Sequence, residues 1–152
     1  MISNNILAKE QYGFRSNTST EKDIYQLTNN ILKALDNKYL VDGIFCDLTK
    51  TFDCVDHDIL LGKLEFYGIK GNANNLIKSY LKDRYQRVVI RYISSNTYHS
   101  GWNKVIRGVP QGLVLGPLFF LIYINDLPGT INQILSPTLF ADDTNIICIH
   151  RD

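Results

Sequence analysis

Two aspartates stand side by side between apolar runs in Ser136-Pro137-Thr138-Leu139-Phe140-Ala141-Asp142-Asp143-Thr144-Asn145-Ile146-Ile147. Like charges this close repel one another, so the pair calls for a cation nearby. The bland alternative is a polar hairpin tip facing water, since Asp tolerates turn backbone well. Asp47 sharpens the first reading, because it ends a second apolar run, Gly43-Ile44-Phe45-Cys46-Asp47. If the two strand systems pair, Asp47 and Asp142 reach one point from different strands. Carboxylates, a backbone carbonyl and substrate phosphates are the oxygen ligands Mg²⁺ prefers, and the carbonyl of Leu48 is placed to be the backbone one. Two such ions hold the attacking and leaving oxygens of an in-line phosphoryl displacement. A third element is the loop Arg107-Gly108-Val109-Pro110-Gln111-Gly112, which precedes an apolar helix. Its glycines permit close backbone approach, a helix N-terminus favours anions, and Gln111 offers a donor and an acceptor to a base edge. A structural crossover loop is the alternative there.

The elements that must position these residues follow from periodicity. Residues 18–37 predict a helix, with Thr18 and Glu21 as a capping box and Ile24, Leu27, Ile31 and Leu35 on one face. Val41–Leu48 predicts a strand delivering Asp47. Asp56 reads as the N-cap of a helix through Tyr67, closed by Gly68, with His57 and Asp58 in the same cap. A further helix is predicted over Ala73–Tyr85, with Leu76, Ile77, Tyr80 and Leu81 as its stripe. Two strands, Arg87–Ile93 and Tyr98–Ile106, flank the turn Ser94-Ser95-Asn96. Pro117 suits the first position of a helix to Asp126, with Pro128 stopping it. Ser136–Phe140 and Asn145–Ile149 are the strands around the aspartate pair. Hairpins mixed with helices predict an α+β fold rather than a doubly wound sheet.

The 152 residues, 45% hydrophobic and 20% charged, are enough for one domain with a real core. The longest unbroken apolar run, Leu118 to Ile124, is too short to span a membrane. Met1–Asn5 lacks the basic flank and apolar stretch of a signal peptide. Cys46, Cys54 and Cys148 form no C-x-x-C, so a disulfide scaffold and a zinc ribbon are both disfavoured and an intracellular compartment is the default. The net charge of +1 conceals a basic middle: residues 61–107 hold 9 Lys and Arg against 2 Asp and Glu. Acidic segments flank it on both sides. Tyr67, Tyr80, Tyr85, Tyr92, Tyr98 and Trp102 interleave with those cations, a pattern suited to phosphates and stacked bases. A solvated face with core aromatics is the plainer reading.

Together these segments resemble the reverse transcriptase domain of non-long-terminal-repeat, LINE-like retrotransposons, from Gln11 to about His150. Gln11-Tyr12-Gly13-Phe14-Arg15 opens the resemblance. Phe45-Cys46-Asp47-Leu48-Thr49-Lys50-Thr51-Phe52-Asp53 is similar to the first catalytic motif. Arg107 to Gly112, followed by Leu115-Gly116-Pro117-Leu118-Phe119, is similar to the template- and nucleotide-gripping motif. Tyr123-Ile124-Asn125-Asp126-Leu127-Pro128 matches the family's helix end, and Phe140-Ala141-Asp142-Asp143 its metal-binding hairpin.

The resemblance implies an incomplete right-hand polymerase. Residues 41–65 and 113–150 would be palm, an antiparallel sheet packed on helices. Residues 1–40 and 66–112 would be partial fingers, with no thumb. It implies RNA-directed DNA polymerase activity with two Mg²⁺ ions, or Mn²⁺ as substitute. Asp47, Asp142 and Asp143 would bind metal, with the Leu48 carbonyl. Phe52 would sit under the nucleotide sugar and favour deoxynucleotides. Gln111 and Gly112 would contact nucleotide and template, and Arg15 a phosphate. Asp53 reads as a hydrogen-bonding residue after the strand rather than a ligand. The implied partners are an RNA template, a DNA primer, deoxynucleoside triphosphates and further domains of a polyprotein, such as an endonuclease and a thumb. The implied compartment of a working element is the nucleus.

Three departures from the family pattern stand out. The chain is expected to be a fragment, ending just after the metal hairpin. Thr51 stands where alanine is usual, and Leu113 where serine is more frequent. A competing reading is a non-catalytic remnant that holds nucleic acid through Lys82, Arg84, Arg87 and Arg91. A distant third is a phosphohydrolase with Asp47 as nucleophile, since Asp47-Leu48-Thr49-Lys50-Thr51 is faintly similar to an aspartyl-phosphate motif.

Overall fold

The computed structural model describes residues 6–15, 18–91, 96–110, 112, 114–131 and 135–151. The β-branched runs of the sequence become a three-stranded antiparallel sheet, as expected of residues that pack well on a pleated surface. Its strands are β1 (Leu40–Cys46), β6 (Leu135–Phe140) and β7 (Asp143–His150), in the order β1-β7-β6. β6 and β7 form a tight hairpin closed by Ala141 and Asp142. β7 pairs β1 from Leu40↔His150 to Cys46↔Thr144. A long helix, α1 (Thr20–Asp36), packs against β1 and β6.

The remaining helices build the core. They are α2 (His57–Phe66), α3 (Asn72–Leu81), α4 (Leu115–Ile124) and the short α5 (Leu127–Thr130). Val55, Leu60, Leu64, Leu81, Phe119, Phe120 and Ile122 are buried together where α2, α3 and α4 meet. Each such large side chain contributes roughly 1.5–3 kcal/mol by leaving water. α4 is apolar nearly all round, and five of its ten residues are buried, so it belongs inside rather than on a surface. Between α3 and α4 a projecting arm carries two short ladders: β2 (Tyr85–Gln86) with β5 (Asn103–Lys104), and β3 (Val89–Arg91) with β4 (Thr97–His99).

The expected α+β mixture is present, and α2 matches its prediction closely. Asp56 Oδ1 accepts from the N–H groups of Asp58 and Ile59, and Gly68 follows the helix at φ +92°. Other elements differ in instructive ways. α1 is capped by Ser19, whose hydroxyl accepts from the Lys22 N–H; Thr18 instead donates to the carbonyls of Tyr12 and Arg15. The expected apolar face of α1 is only partly its buried face: Leu27 and Ile31 are half-buried. Ile24 and Leu35 are exposed, while Asp23 and Ala34 are buried, because docking on the sheet chooses the stripe through Asp23, Leu27 and Ala34.

α3 ends at Leu81 rather than Tyr85. Asp83 turns left-handed at φ +54°, and Tyr85 leaves to pair with Lys104. Leu76, expected in the α3 stripe, is exposed, whereas Leu81 is fully buried. The expected hairpin over 87–106 is split into its two ladders where the Ser100 hydroxyl accepts from the Val88 N–H in place of a backbone partner. Part of its turn, residues 92–95, lies outside the described residues. Pro117 is the third residue of α4 rather than the first, and α4 stops at Ile124.

An N-terminal segment closes the structure. Asn125 accepts from the Ala8 N–H and donates to the Ile6 carbonyl and the Tyr67 hydroxyl. Lys63 joins α2 to the end of α4 through the Tyr123 carbonyl and the Asp126 carboxylate. The glycine loop lies hard against the segment after β1. The Gly108 N–H donates to the Val55 carbonyl and the Val109 N–H to the Phe52 carbonyl, both at 2.8 Å. Gly108 has φ +88°, and a Cβ there would stand 2.8 Å from Asp53 Cα. Gly108→Ala is therefore expected to cost about 2 kcal/mol or more in denaturant unfolding. Gly62→Ala, on α2 with open space around it, is expected to gain about 0.5–1 kcal/mol in the same measurement. Equal effects of the two substitutions would contradict the close approach of the loop.

Candidate active site

The sheet register assembles the carboxylates. Cys46 is paired with Thr144 and Phe140 with Asp143. One further step of the antiparallel register sets Asp47 opposite Asp143. Side chains alternate along a strand, so Phe45, Asp47, Asp143 and Asn145 share one face. These four, with Phe140 and with Thr20, Asp23 and Ile24 of α1, line a cavity of about 320 Å³. Asp142 occupies the turn, half-buried, and its Oδ2 accepts from the Thr51 hydroxyl at 3.2 Å. The threonine that departs from the family pattern thus holds one of the two paired aspartates, a contact alanine could not make.

Asp23 is the residue the sequence reading missed. It is only 7% exposed, and its Oδ1 has no hydrogen-bond partner. Burial, and secondarily the charge of Asp143, push its carboxyl above the ordinary value. An acid in the first turn of a helix reads from sequence as a partner for the helix dipole; only the docking of α1 on the sheet turns it inward.

The glycine loop is held by the segment carrying the first motif. His57, expected as part of a helix cap, is instead buried, with Nε2 2.7 Å from the Gly108 carbonyl oxygen. A carbonyl only accepts, so Nε2 carries the proton. Phe52 lies in a 3₁₀ turn, Thr51–Cys54, with its ring 4.9 Å from that of Phe120. Its aromatic face is thereby braced by α4 next to the carboxylates. A Cβ on Gly116 would stand 2.3 Å from the Pro110 carbonyl oxygen, which requires glycine at the other end of the loop.

The other expected residues are more dispersed. Leu48 is exposed directly after Asp47. Gly112 is described, at φ +78° with open space where a Cβ would stand; Gln111 and Leu113 lie outside the described residues. Arg15 lines a different cavity, with Tyr67, Asn125 and Asp126. Its Nη1 donates to the carbonyls of Ala8 and Gln11 at 2.8 and 3.3 Å. On the projecting arm, Arg87 sits over the Trp102 ring at 4.7 Å and Arg84 over the Tyr80 ring at 5.5 Å. Tyr98 and Trp102 are more than 60% exposed there.

The donor set suits a hard divalent cation: all oxygen, with one buried carboxylate oxygen lacking a partner. Among the described residues no three His, Cys, Asp or Glu side chains gather closely enough to hold an ion by themselves. An ion here would draw its remaining ligands from water and substrate phosphates, as Mg²⁺ commonly does.

The sequence matches, over residues 1–152, the family described as reverse transcriptase (RNA-dependent DNA polymerase). The chain belongs to the reverse transcriptase family. The chain is 38% identical over 135 residues to the probable RNA-directed DNA polymerase from transposon BS of Drosophila melanogaster, covering 84% of this chain and 14% of that protein. It is 31% identical to the probable polymerase from transposon X-element of the same fly, covering 98% of this chain and 16% of the relative. With the polymerase from mobile element jockey the identity is 30%, over 93% of this chain and 15% of the relative. The chain therefore spans about one-seventh of the length of these curated relatives. Their origin agrees with the non-long-terminal-repeat resemblance of the motifs.

In structure, the chain is similar to apo telomerase from Candida tropicalis, at a TM-score of 0.61 with 16% identity over 92% of this chain and 30% of that one. It is also similar to telomerase from Candida albicans in complex with a fragment of telomeric RNA, at a TM-score of 0.62 with 14% identity over 92% of this chain and 27% of that one. At these identities the likeness shows the fold, which is polymerase palm-like. Family membership sets aside the phosphohydrolase reading of Asp47.

The buried Asp23 generates a prediction of definite sign. Its pKa is raised above 3.8 in the folded chain, so the folded state binds the proton more tightly than the unfolded state. Stability is then lost as pH rises through the interval above 3.8. Asp23→Asn is expected to unfold at higher denaturant than the parent at pH 7, with the gain vanishing toward pH 3.5. A gain that does not change with pH would contradict the burial of an ionisable Asp23.

Proposed function

We propose that this chain supplies the catalytic centre of an RNA-directed DNA polymerase of a non-long-terminal-repeat retrotransposon. It would extend a DNA primer 3′-hydroxyl with deoxynucleotides by two-metal phosphoryl transfer. The single observation that carries this is the sheet register that brings Asp47 to the Asp142-Asp143 hairpin. Asp47, Asp142 and Asp143, with the carbonyl of Leu48, are the residues that would hold the ions. When bound, two Mg²⁺ ions supply activation of the primer hydroxyl and neutralisation of charge on the phosphate and the leaving pyrophosphate.

The rest is positioning by the chain itself. Thr51 orients Asp142. His57 fixes Gly108, in the same loop as Gln111 and Gly112, which would contact template and nucleotide. Phe52, braced on Phe120, would lie under the nucleotide sugar and exclude a 2′-hydroxyl. In this reading residues 41–65 and 113–150 are palm, and residues 1–40 and 66–112 belong to the fingers. Arg15 is retained as a phosphate contact through the donors its two carbonyl bonds leave over. The partners are an RNA template, a DNA primer and deoxynucleoside triphosphates, within a longer polyprotein that acts in the nucleus. Support for the polyprotein is the small share of the relatives that the chain spans.

The arm favours a second reading on its own observation. Its exposed Tyr98 and Trp102 beside Arg84, Arg87 and Arg91 would hold nucleic acid whether or not a primer is extended, with affinity that falls as salt rises. Primer extension on an RNA template, with Mg²⁺ and deoxynucleotides, separates the two. The parent chain is expected to extend the primer, and Asp142→Ala to lose at least about a hundredfold in rate, roughly 2.7 kcal/mol of barrier. Binding of the template by a folded parent without extension would favour the non-catalytic reading.

A further inference from the structure

Gln11, at the head of the opening motif, has no role in the mechanism above, yet its side chain bonds the residue directly before the aspartate pair. Its side chain is 3% exposed. Oε1 accepts from the N–H groups of Gly13 at 2.7 Å and Ala141 at 3.0 Å, and Nε2 donates to the Ala141 carbonyl at 3.4 Å. One primary amide thus grips both polar groups of a single residue, the one directly before Asp142. A primary amide is neutral and accepts at its oxygen while donating at its nitrogen.

Ala141 needs such a grip. Its φ is +58°, a left-handed conformation in which a Cβ crowds the following carbonyl oxygen. The Ala141 carbonyl belongs to the same peptide plane as the Asp142 N–H. Fixing that plane fixes the direction in which Asp142 leaves the turn. The segment carrying Gln11 is itself anchored. The Tyr12 N–H donates to the Leu139 carbonyl at 2.7 Å, and the Leu139 N–H to the Glu10 carbonyl at 2.9 Å. A Cβ on Gly13 would stand 2.2 Å from the Ala141 nitrogen, so glycine is required for this approach. Arg15 adds an outer layer by bonding the Gln11 carbonyl.

We propose that Gln11 is a positioning residue that sets the backbone of the aspartate turn and so the direction of the Asp142 carboxylate. It touches no reacting atom. The inference deepens the polymerase reading and rests on it for the importance of that direction, while the clamp itself is tested without any metal.

The test uses the 152-residue chain with Gln11→Met, which keeps volume and removes all three bonds, and Gln11→Glu, which keeps the acceptor. Two quantities are read: amide hydrogen exchange at Ala141, and affinity for Mn²⁺ alone as a probe of the aspartates, with Asp142→Ala in parallel. In Gln11→Met the Ala141 amide is expected to exchange about tenfold faster or more, with core amides of α2 and α4 unchanged. Mn²⁺ affinity is expected to fall about tenfold with it. Gln11→Glu is expected to keep Ala141 protected within about threefold, and it carries the test should the Met variant not fold.

Unchanged Mn²⁺ affinity beside a freed Ala141 amide would overturn the positioning role. Uniform acceleration of core and turn amides would reduce Gln11 to a stability residue and also overturn it, as would an unprotected Ala141 amide in Gln11→Glu. If the parent and Asp142→Ala bind Mn²⁺ equally, the metal assignment fails instead, and the clamp stands or falls on Ala141 exchange.

Discussion

The antiparallel ladder between β1 and β7 joins stretches from opposite halves of the chain, and the approach of Asp47 to Asp143 depends on its register. A slip of one residue would turn Asp47 to the far face of the sheet and leave Asp143 opposite an apolar side chain. The fold secures that register from both sides. β7 is locked to β6 by a two-residue turn, and β6 is locked to the N-terminal segment through Glu10, Tyr12 and Gln11. On the β1 side, the residues after Asp47 are tied to the glycine loop by Phe52, Val55 and His57. The two aspartate-bearing segments and the glycine loop between them are therefore one hydrogen-bonded unit, although they are far apart in sequence.

Charge is distributed to the same end. The acidic residues at the end of the sheet would repel one another and any phosphate without cations between them. Most of the basic residues of the 61–107 stretch lie on α3 and the projecting arm, where Lys82 and Lys104 already hold the Asp58 and Asp83 carboxyls below their ordinary range. The arm's exposed aromatic rings and cations suit a strand of nucleic acid better than a compact anion.

Sequence patterns showed most of this fold where the signal was local. Asp56 and Gly68 bound α2 because caps are short-range chemistry, and the aspartate hairpin was legible because an acidic pair between apolar strands is an unusual local pattern. Three features were not legible, for one shared reason. The buried stripe of α1, the inward turn of Asp23 and the bond from His57 to Gly108 are all decided by what a segment docks against. Ile24 and Leu35 read as a core face but remain exposed, because the sheet selects a stripe that includes a carboxylate. Gln11 is a fourth: it opens the family-like motif, but no local pattern aims its side-chain amide at Ala141, 130 residues away.

The claim on which all this rests is that Cys46 lies directly across from Thr144, so that Asp47 meets the aspartate hairpin. Directly opposed residues of an antiparallel pair have Cα atoms about 4.5–5.5 Å apart, within the span of a disulfide. The direct measurement is oxidative cross-linking from the native Cys46, in a background with Cys54→Ser and Cys148→Ser. Thr144→Cys is expected to form the cross-link to Cys46 rapidly, and Asn145→Cys, one residue on and facing the other way, to form little. Preferential cross-linking at 145, or none at either position in a folded chain, would contradict the register and with it the assembly of the site.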